Sequence, residues 1–171
     1  MKFKSLFAIA LTAFVAVSCT KKKKGGDYGL DRKETLVVNI MTEPPSLDWN
    51  KATDTTSSHI TTNLMEGLVE YNFSDPNLSL EPAMATEWKP TNQAQSWTFT
   101  IRKGVKWTDG VELTAQHFVD GWERLLNPMT ASEYAYFLYG IKNAREYNEG
   151  KIKDFSQVGV KVNDQGQLVV N

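Results

Sequence analysis

Trp97-Thr98-Phe99-Thr100-Ile101-Arg102-Lys103-Gly104-Val105-Lys106-Trp107-Thr108-Asp109-Gly110, followed after three residues by Thr114-Ala115-Gln116-His117-Phe118-Val119, is the stretch that decides the fold. Trp97, Phe99 and Ile101 alternate with Thr98, Thr100 and Arg102, the period of a half-buried strand. Asp109-Gly110 is a turn pair. Thr114 then supplies the N-cap of a helix through Leu126, whose Phe118, Val119, Trp122, Leu125 and Leu126 share one face, and Pro128 lies beyond its end.

Moving outward, strands and helices continue to mix. Residues 34–41 (ETLVVNIM) form a β-rich apolar run closed by Pro44-Pro45, which cannot continue a ladder. Ile60, Leu64, Met65 and Leu68 fall at helical spacing, predicting a helix over 57–68 with Thr56, Ser57 or Ser58 as N-cap and Gly67 near its end. A short strand is expected at 68–72, and 80–88 is either extended or a single turn, with Pro82 inside it. Short helices are expected at 132–139 and 141–147. Residues 158–162, the turn 163–166 and residues 167–171 read as a hairpin. The expected class is mixed α/β (α+β), not a pure βαβ repeat. The chain stops within the second strand of that hairpin, from which an incomplete protein is expected.

The first residues are an address. Lys2 and Lys4 precede a run from Leu6 to Val17 broken only by Thr12. A dozen residues fall short of the roughly 20 that a membrane-crossing helix needs, so the run reads as a signal peptide. Ala16-Val17-Ser18-Cys19 resembles the lipobox cut by the lipoprotein signal peptidase, with Ala16 where Leu is usual. Cys19 is the only cysteine, so it staples nothing within the chain. The reading is residues 1–18 as signal peptide, Cys19 as a lipidated anchor, and 19–34 as a tether made flexible by Lys21 to Lys24, Gly25 and Gly26. Residues 35–171 are the folded part.

Composition excludes several classes of chemistry. A formal net charge of -1 implies no polyanionic partner, and nucleic acid is not expected. His59 and His117 are far apart with no Cys or carboxylate cluster at ligand spacing, so neither a metal nor a cofactor is expected. Asp109-Gly110 lacks the later acidic ligands of a calcium loop. There is no Gly-x-Ser-x-Gly elbow or phosphate-binding glycine loop, and an exported hydrolase has only the signal in its favour. The chain is not expected to be an enzyme. Trp97, Trp107 and Trp122 are read as core residues more readily than as ligand-stacking platforms.

In order along the chain, Ser46-Leu47-Asp48 (with Trp49 in place of Pro), Glu66-Gly67-Leu68, Pro82-Ala83-Met84-Ala85-Thr86-Glu87-Trp88, the Trp97 to Val119 run and Asn127-Pro128-Met129-Thr130-Ala131-Ser132-Glu133-Tyr134 resemble the extracellular solute-binding proteins of family 5, the peptide-binding group of ABC importers. The resemblance implies a type II periplasmic-binding-protein fold, present as part of the N-terminal lobe. It implies a receptor that captures oligopeptides outside the cytoplasmic membrane and delivers them to an ABC permease. The expected location is the periplasm or cell envelope, lipid-anchored, with inner or outer membrane left open. A nickel chelate, a sugar or haem as ligand stays open, as does a truncated, non-transporting remnant.

The resemblance also carries over site residues. The segment that passes the cleft and gives main-chain hydrogen bonds to an extended peptide corresponds to Thr53, Asp54 and Thr55, with Thr53 where Glu is frequent. Tyr134 corresponds to a cleft tyrosine near the peptide; a core or hinge aromatic is the other reading. The residue that pairs with the peptide ammonium normally lies outside the matched part.

Overall fold

The computed structural model describes residues 30–31 and 33–171, so the signal, Cys19 and most of the expected tether lie outside the described residues. The chain divides into two compact units, Met1–Asn39 and Ile40–Asn171. No helix among the described residues is long and apolar enough to cross a membrane.

In the first unit, the strand expected from residue 34 does not form. Residues 35–39 have no regular structure, Leu36 is 87% exposed, and Val37 and Val38 are exposed as well. Apolar β-formers make a strand only when a partner supplies the ladder, and no described strand pairs with them.

The second unit opens with α1 (Thr55–Thr61). It starts two residues earlier than 57–68 and stops well short of Gly67, correcting both expected ends. The cap is Asp54, whose Oδ1 accepts the Ser57 N–H at 2.9 Å. Thr61, Thr62 and Asn63 then turn their side chains back onto the carbonyls of Ser57, Ser58 and His59, at 3.0, 2.7 and 2.6 Å. Such local bonds compete with the helical ladder and close the helix there. Leu64 and Met65 consequently lie outside it, exposed.

β1 (Val69–Tyr71) and β2 (Leu80–Pro82) form a two-stranded antiparallel sheet. β3 (Ala85–Thr91) and β4 (Ser96–Ile101) pair with β5 (Val160–Val162) and β6 (Leu168–Val170) in a four-stranded antiparallel sheet of order β3-β4-β6-β5. The stretch 80–88 is therefore two strands, and Pro90 is accommodated because β3 is an edge strand. β6 lies between β4 and β5, with Leu168 opposite Phe99 on one side and Val162 on the other.

α2 (Ala115–Leu126) occupies the expected helix, with Thr114 as N-cap. The Thr114 N–H donates to Nδ1 of His117 at 3.1 Å, closing the first turn. Ala115, Val119, Trp122 and Leu126 lie on one face, and the helix packs on β5 and β6. Asn148 ties off the other end, donating to the Leu126 carbonyl at 2.8 Å while accepting from the Tyr139 hydroxyl at 2.6 Å. Beyond it the expected short helices stand in place but shortened: a 3-10 turn spans Ala135–Leu138 and α3 covers Ala144–Asn148.

Leu126 and Leu168 are fully buried at the centre of a cluster with Val119, Ala144, Val158 and Val160. Trp122 packs against it. Trp107 does not: it is exposed on the hairpin turn before α2, edge-on to the His117 ring at 5.8 Å. Its place in a core is corrected, because the tight turn at Asp109-Gly110 carries it outward. Gly110 has φ +90 there, and the Val111 N–H bonds back to the Asp109 carboxylate at 2.9 Å.

Candidate functional site

The loop 46–54 is organised around Asp48. Its own N–H donates to Ser46 Oγ at 3.1 Å, and its Oδ1 accepts the Asn50 N–H at 3.1 Å. Its carbonyl takes the N–H groups of Lys51 and Ala52, each at 2.9 Å. From the polar side of α2, Arg124 reaches the carboxylate with both arms of its guanidinium, Nη1 to Oδ1 at 2.7 Å and Nη2 to Oδ2 at 2.6 Å. Paired planar forks of this kind combine charge with fixed geometry. The hydrogen bond from Arg124 holds the Asp48 carboxyl below its ordinary pKa, and Asp48 in turn raises that of Arg124.

After Ala52 the chain reaches the segment expected to meet a ligand. Tyr134 and Thr53, 81 positions apart, are brought together: the Tyr134 hydroxyl donates to the Thr53 carbonyl at 3.2 Å. Tyr134 is 39% exposed, which makes it neither a core residue nor a free one. Its ring also meets Tyr136 and Phe137 edge-on, with centroids at 6.2 and 5.5 Å, and these two stack on one another at 4.5 Å. The three rings form an exposed aromatic cluster beside the loop.

Asp54 has an extended backbone, with φ -105 and ψ 160. Its carboxylate is committed to α1, accepting the Ser57 N–H and, at 2.6 Å, the Ser57 hydroxyl. Those Ser57 bonds lower its pKa and keep it anionic. Thr55 begins α1 and is exposed, as is Thr53. The arrangement thus sets exposed Thr53 and Thr55 on either side of an extended Asp54, whose carboxylate caps α1, with the Thr53 carbonyl taken by the Tyr134 hydroxyl and the Asp54 carbonyl by the Ser58 N–H. Such an edge offers backbone hydrogen bonds to an extended ligand without reading its side chains.

Two surface hollows lie elsewhere. One, lined by Trp88, Trp97, Phe99, Trp122 and Val170 among others, is apolar and about 300 Å³; the other, about 590 Å³, is lined by Val119, Lys153, Phe155 and Val160 among others. Neither includes Thr53, Asp54, Thr55 or Tyr134. Trp97 on β4 and Trp122 on α2 both line the apolar hollow, and neither takes part in the loop.

The fork between Arg124 and Asp48 was absent from the expected site. In the sequence Asp48 belongs to the Ser-Leu-Asp motif, while Arg124 belongs to none of the motifs there. Nothing local signals a pairing across 76 positions.

An antiparallel sheet backed by a helix, with a pinned extended loop at one side, matches part of a type II periplasmic binding protein. Haemophilus influenzae OppA in complex with RPPGFSPFR superposes with a TM-score of 0.72 and 36% identity, over 83% of this chain and 27% of that one. The "Periplasmic oligopeptide-binding protein OppA" of Haemophilus influenzae is 36% identical across 100% of this chain, which covers 31% of it. The "Periplasmic murein peptide-binding protein MppA" of Escherichia coli is 41% identical across 82% of this chain, covering 26% of it. The model of the bacterial extracellular solute-binding proteins, family 5 Middle, matches residues 79–171. The chain belongs to the bacterial extracellular solute-binding proteins of family 5. It spans between a quarter and a third of the length of these relatives.

Proposed function

We propose that the protein carrying this sequence is the substrate-binding component of a peptide ABC importer, capturing oligopeptides outside the cytoplasmic membrane and handing them to the permease. The observation that carries this reading is the segment Thr53–Thr55, exposed at both ends, extended at Asp54 and held beside Tyr134. Its chemistry suits a ligand whose backbone is constant and whose side chains vary. The relatives named for oligopeptides and murein peptides support the same ligand class. In this role two lobes close about a hinge and bury the peptide. Calorimetric titration of the full-length gene product with a mixture of tri- to pentapeptides is expected to show saturable heat. A flat titration across the whole mixture rejects peptide capture.

The same reading places the protein in the cell envelope, held to a membrane through lipidated Cys19. Multiple acyl chains on one residue anchor stably where a single chain holds marginally, and the lysines after Cys19 extend the tether. Cys19→Ser is expected to abolish labelled-palmitate incorporation and release the protein from the membrane fraction. Retention of the label in that variant removes Cys19 as the anchor.

A further inference from the structure

We propose that Asp48 and Arg124 are a positioning pair, fixing the Thr53–Thr55 main chain in the place where a ligand meets it. The inference rests on the reading of that segment as the ligand-facing edge, and adds two residues that act on the edge without touching ligand.

Besides the Asp54 cap that joins it to α1, the geometry gives the loop two attachments to the rest of the unit. At its start, the Arg124 fork grips the Asp48 carboxylate at 2.7 and 2.6 Å. At its end, Tyr134 holds the Thr53 carbonyl at 3.2 Å. Between them, the Asp48 carbonyl collects the Lys51 and Ala52 N–H groups, so the turn is wound on Asp48 and displacement of that residue is passed directly to Thr53. Arg124 is a firm anchor because Leu126, two residues on in the same helix, is fully buried in the core. The Asp54 cap on α1 and the single hydrogen bond from Tyr134 hold only the far end of the loop; the planar two-armed fork fixes its start as well. Both arms of Arg124 are occupied by Asp48, which separates this role from direct recognition of a ligand carboxylate. A lysine in its place keeps the charge and loses the fork.

Ordering a binding edge before ligand arrives lowers the entropy lost on binding. Breaking the fork is therefore read in two measurements on the full-length gene product: peptide affinity, and hydrogen exchange, without ligand, of the Lys51 and Ala52 amides, which the Asp48 carbonyl protects next to Thr53. Arg124→Gln is expected to weaken peptide binding about fivefold, the upper end of what an exposed pair sustains, and to speed exchange at those amides by a similar factor. Exchange within β4 and β6 stays unchanged, as a general loss of stability would not allow. Arg124→Lys falls between Arg124→Gln and the parent protein, and serves in its place if Arg124→Gln fails to fold. Unaltered exchange at Lys51 and Ala52 overturns the proposal, and weaker binding with unaltered exchange assigns Arg124 to the ligand itself. If the parent protein binds no peptide, the transport reading falls while the exchange measurement still decides whether the pair positions the edge.

Discussion

Leu168→Ala is expected to lower the unfolding free energy by about 2–5 kcal/mol, the range for removing a fully buried leucine side chain. Leu168 is 0% exposed and sits in the same cluster as Ala115, Val119 and Leu126 of α2. It is also flanked within the sheet by Phe99 and Val162, so the cavity opens where helix and both neighbouring strands converge. Those walls are tied by strand ladders and collapse poorly, which favours the upper half of the range. Denaturant titration followed by tryptophan fluorescence reads the change as a lower midpoint at constant slope. Val170→Ala, on the same strand but only partly buried, costs less. Equal losses at the two positions reject the central placement of Leu168.

Gly159→Ala has the second large effect, through crowding in place of a cavity. Gly159 is the meeting point of three chain segments: its N–H donates to the Lys142 carbonyl at 2.8 Å, its carbonyl accepts the Asn171 N–H at 2.7 Å, and the Lys142 N–H donates to the Asn171 carbonyl at 2.8 Å. An added Cβ lands 2.6 Å from the Asn171 carbonyl oxygen and 2.9 Å from Lys142 Cβ. The first contact is backbone, so no rotamer change relieves it; the junction must part and its hydrogen bonds lengthen. Overpacking of this kind costs about 1–3 kcal/mol. Gly121→Ala is the control, because Gly121 lies within α2 with open space around it. There alanine is expected to stabilise by roughly 0.5–1 kcal/mol through helix propensity. A neutral Gly159→Ala in the same denaturant titration contradicts the close approach.

Features legible in the sequence were those fixed by neighbours along the chain. The alternation from Trp97 to Ile101, the Thr114 cap and the apolar face through Leu126 each state their structure within a few residues, and β4 and α2 stand where they pointed. Residues 34–41 carry the composition of a strand, but a ladder needs a second chain segment, and composition cannot supply one. α1 was displaced because two caps competed: Asp54 bonds both the N–H and the hydroxyl of Ser57, drawing the helix start onto itself. Pro82 obscured β2, a strand of a two-stranded sheet in which every strand is an edge and proline is tolerated. For the site, resemblance to the family singled out Thr53, Asp54, Thr55 and Tyr134, and the structure shows that Tyr134 bonds Thr53. The commitment of the Asp54 side chain to α1 and the grip of Arg124 on Asp48 are properties of the folded chain, with no counterpart in local pattern.

The sheet order β3-β4-β6-β5 has a consequence for how the chain is made. On a ribosome, β3 and β4 emerge together and pair at once, yet the strand that fills the flank of β4 is encoded beyond α2, α3 and β5. At about 5–20 residues per second, Phe99 and Ile101 wait several seconds for Leu168 and its neighbours to arrive. Through that interval the hairpin has an open edge and an apolar side with no cover, and β5 has no neighbour to pair with. The four-stranded sheet therefore closes only once β6 is available to fill the place between β4 and β5.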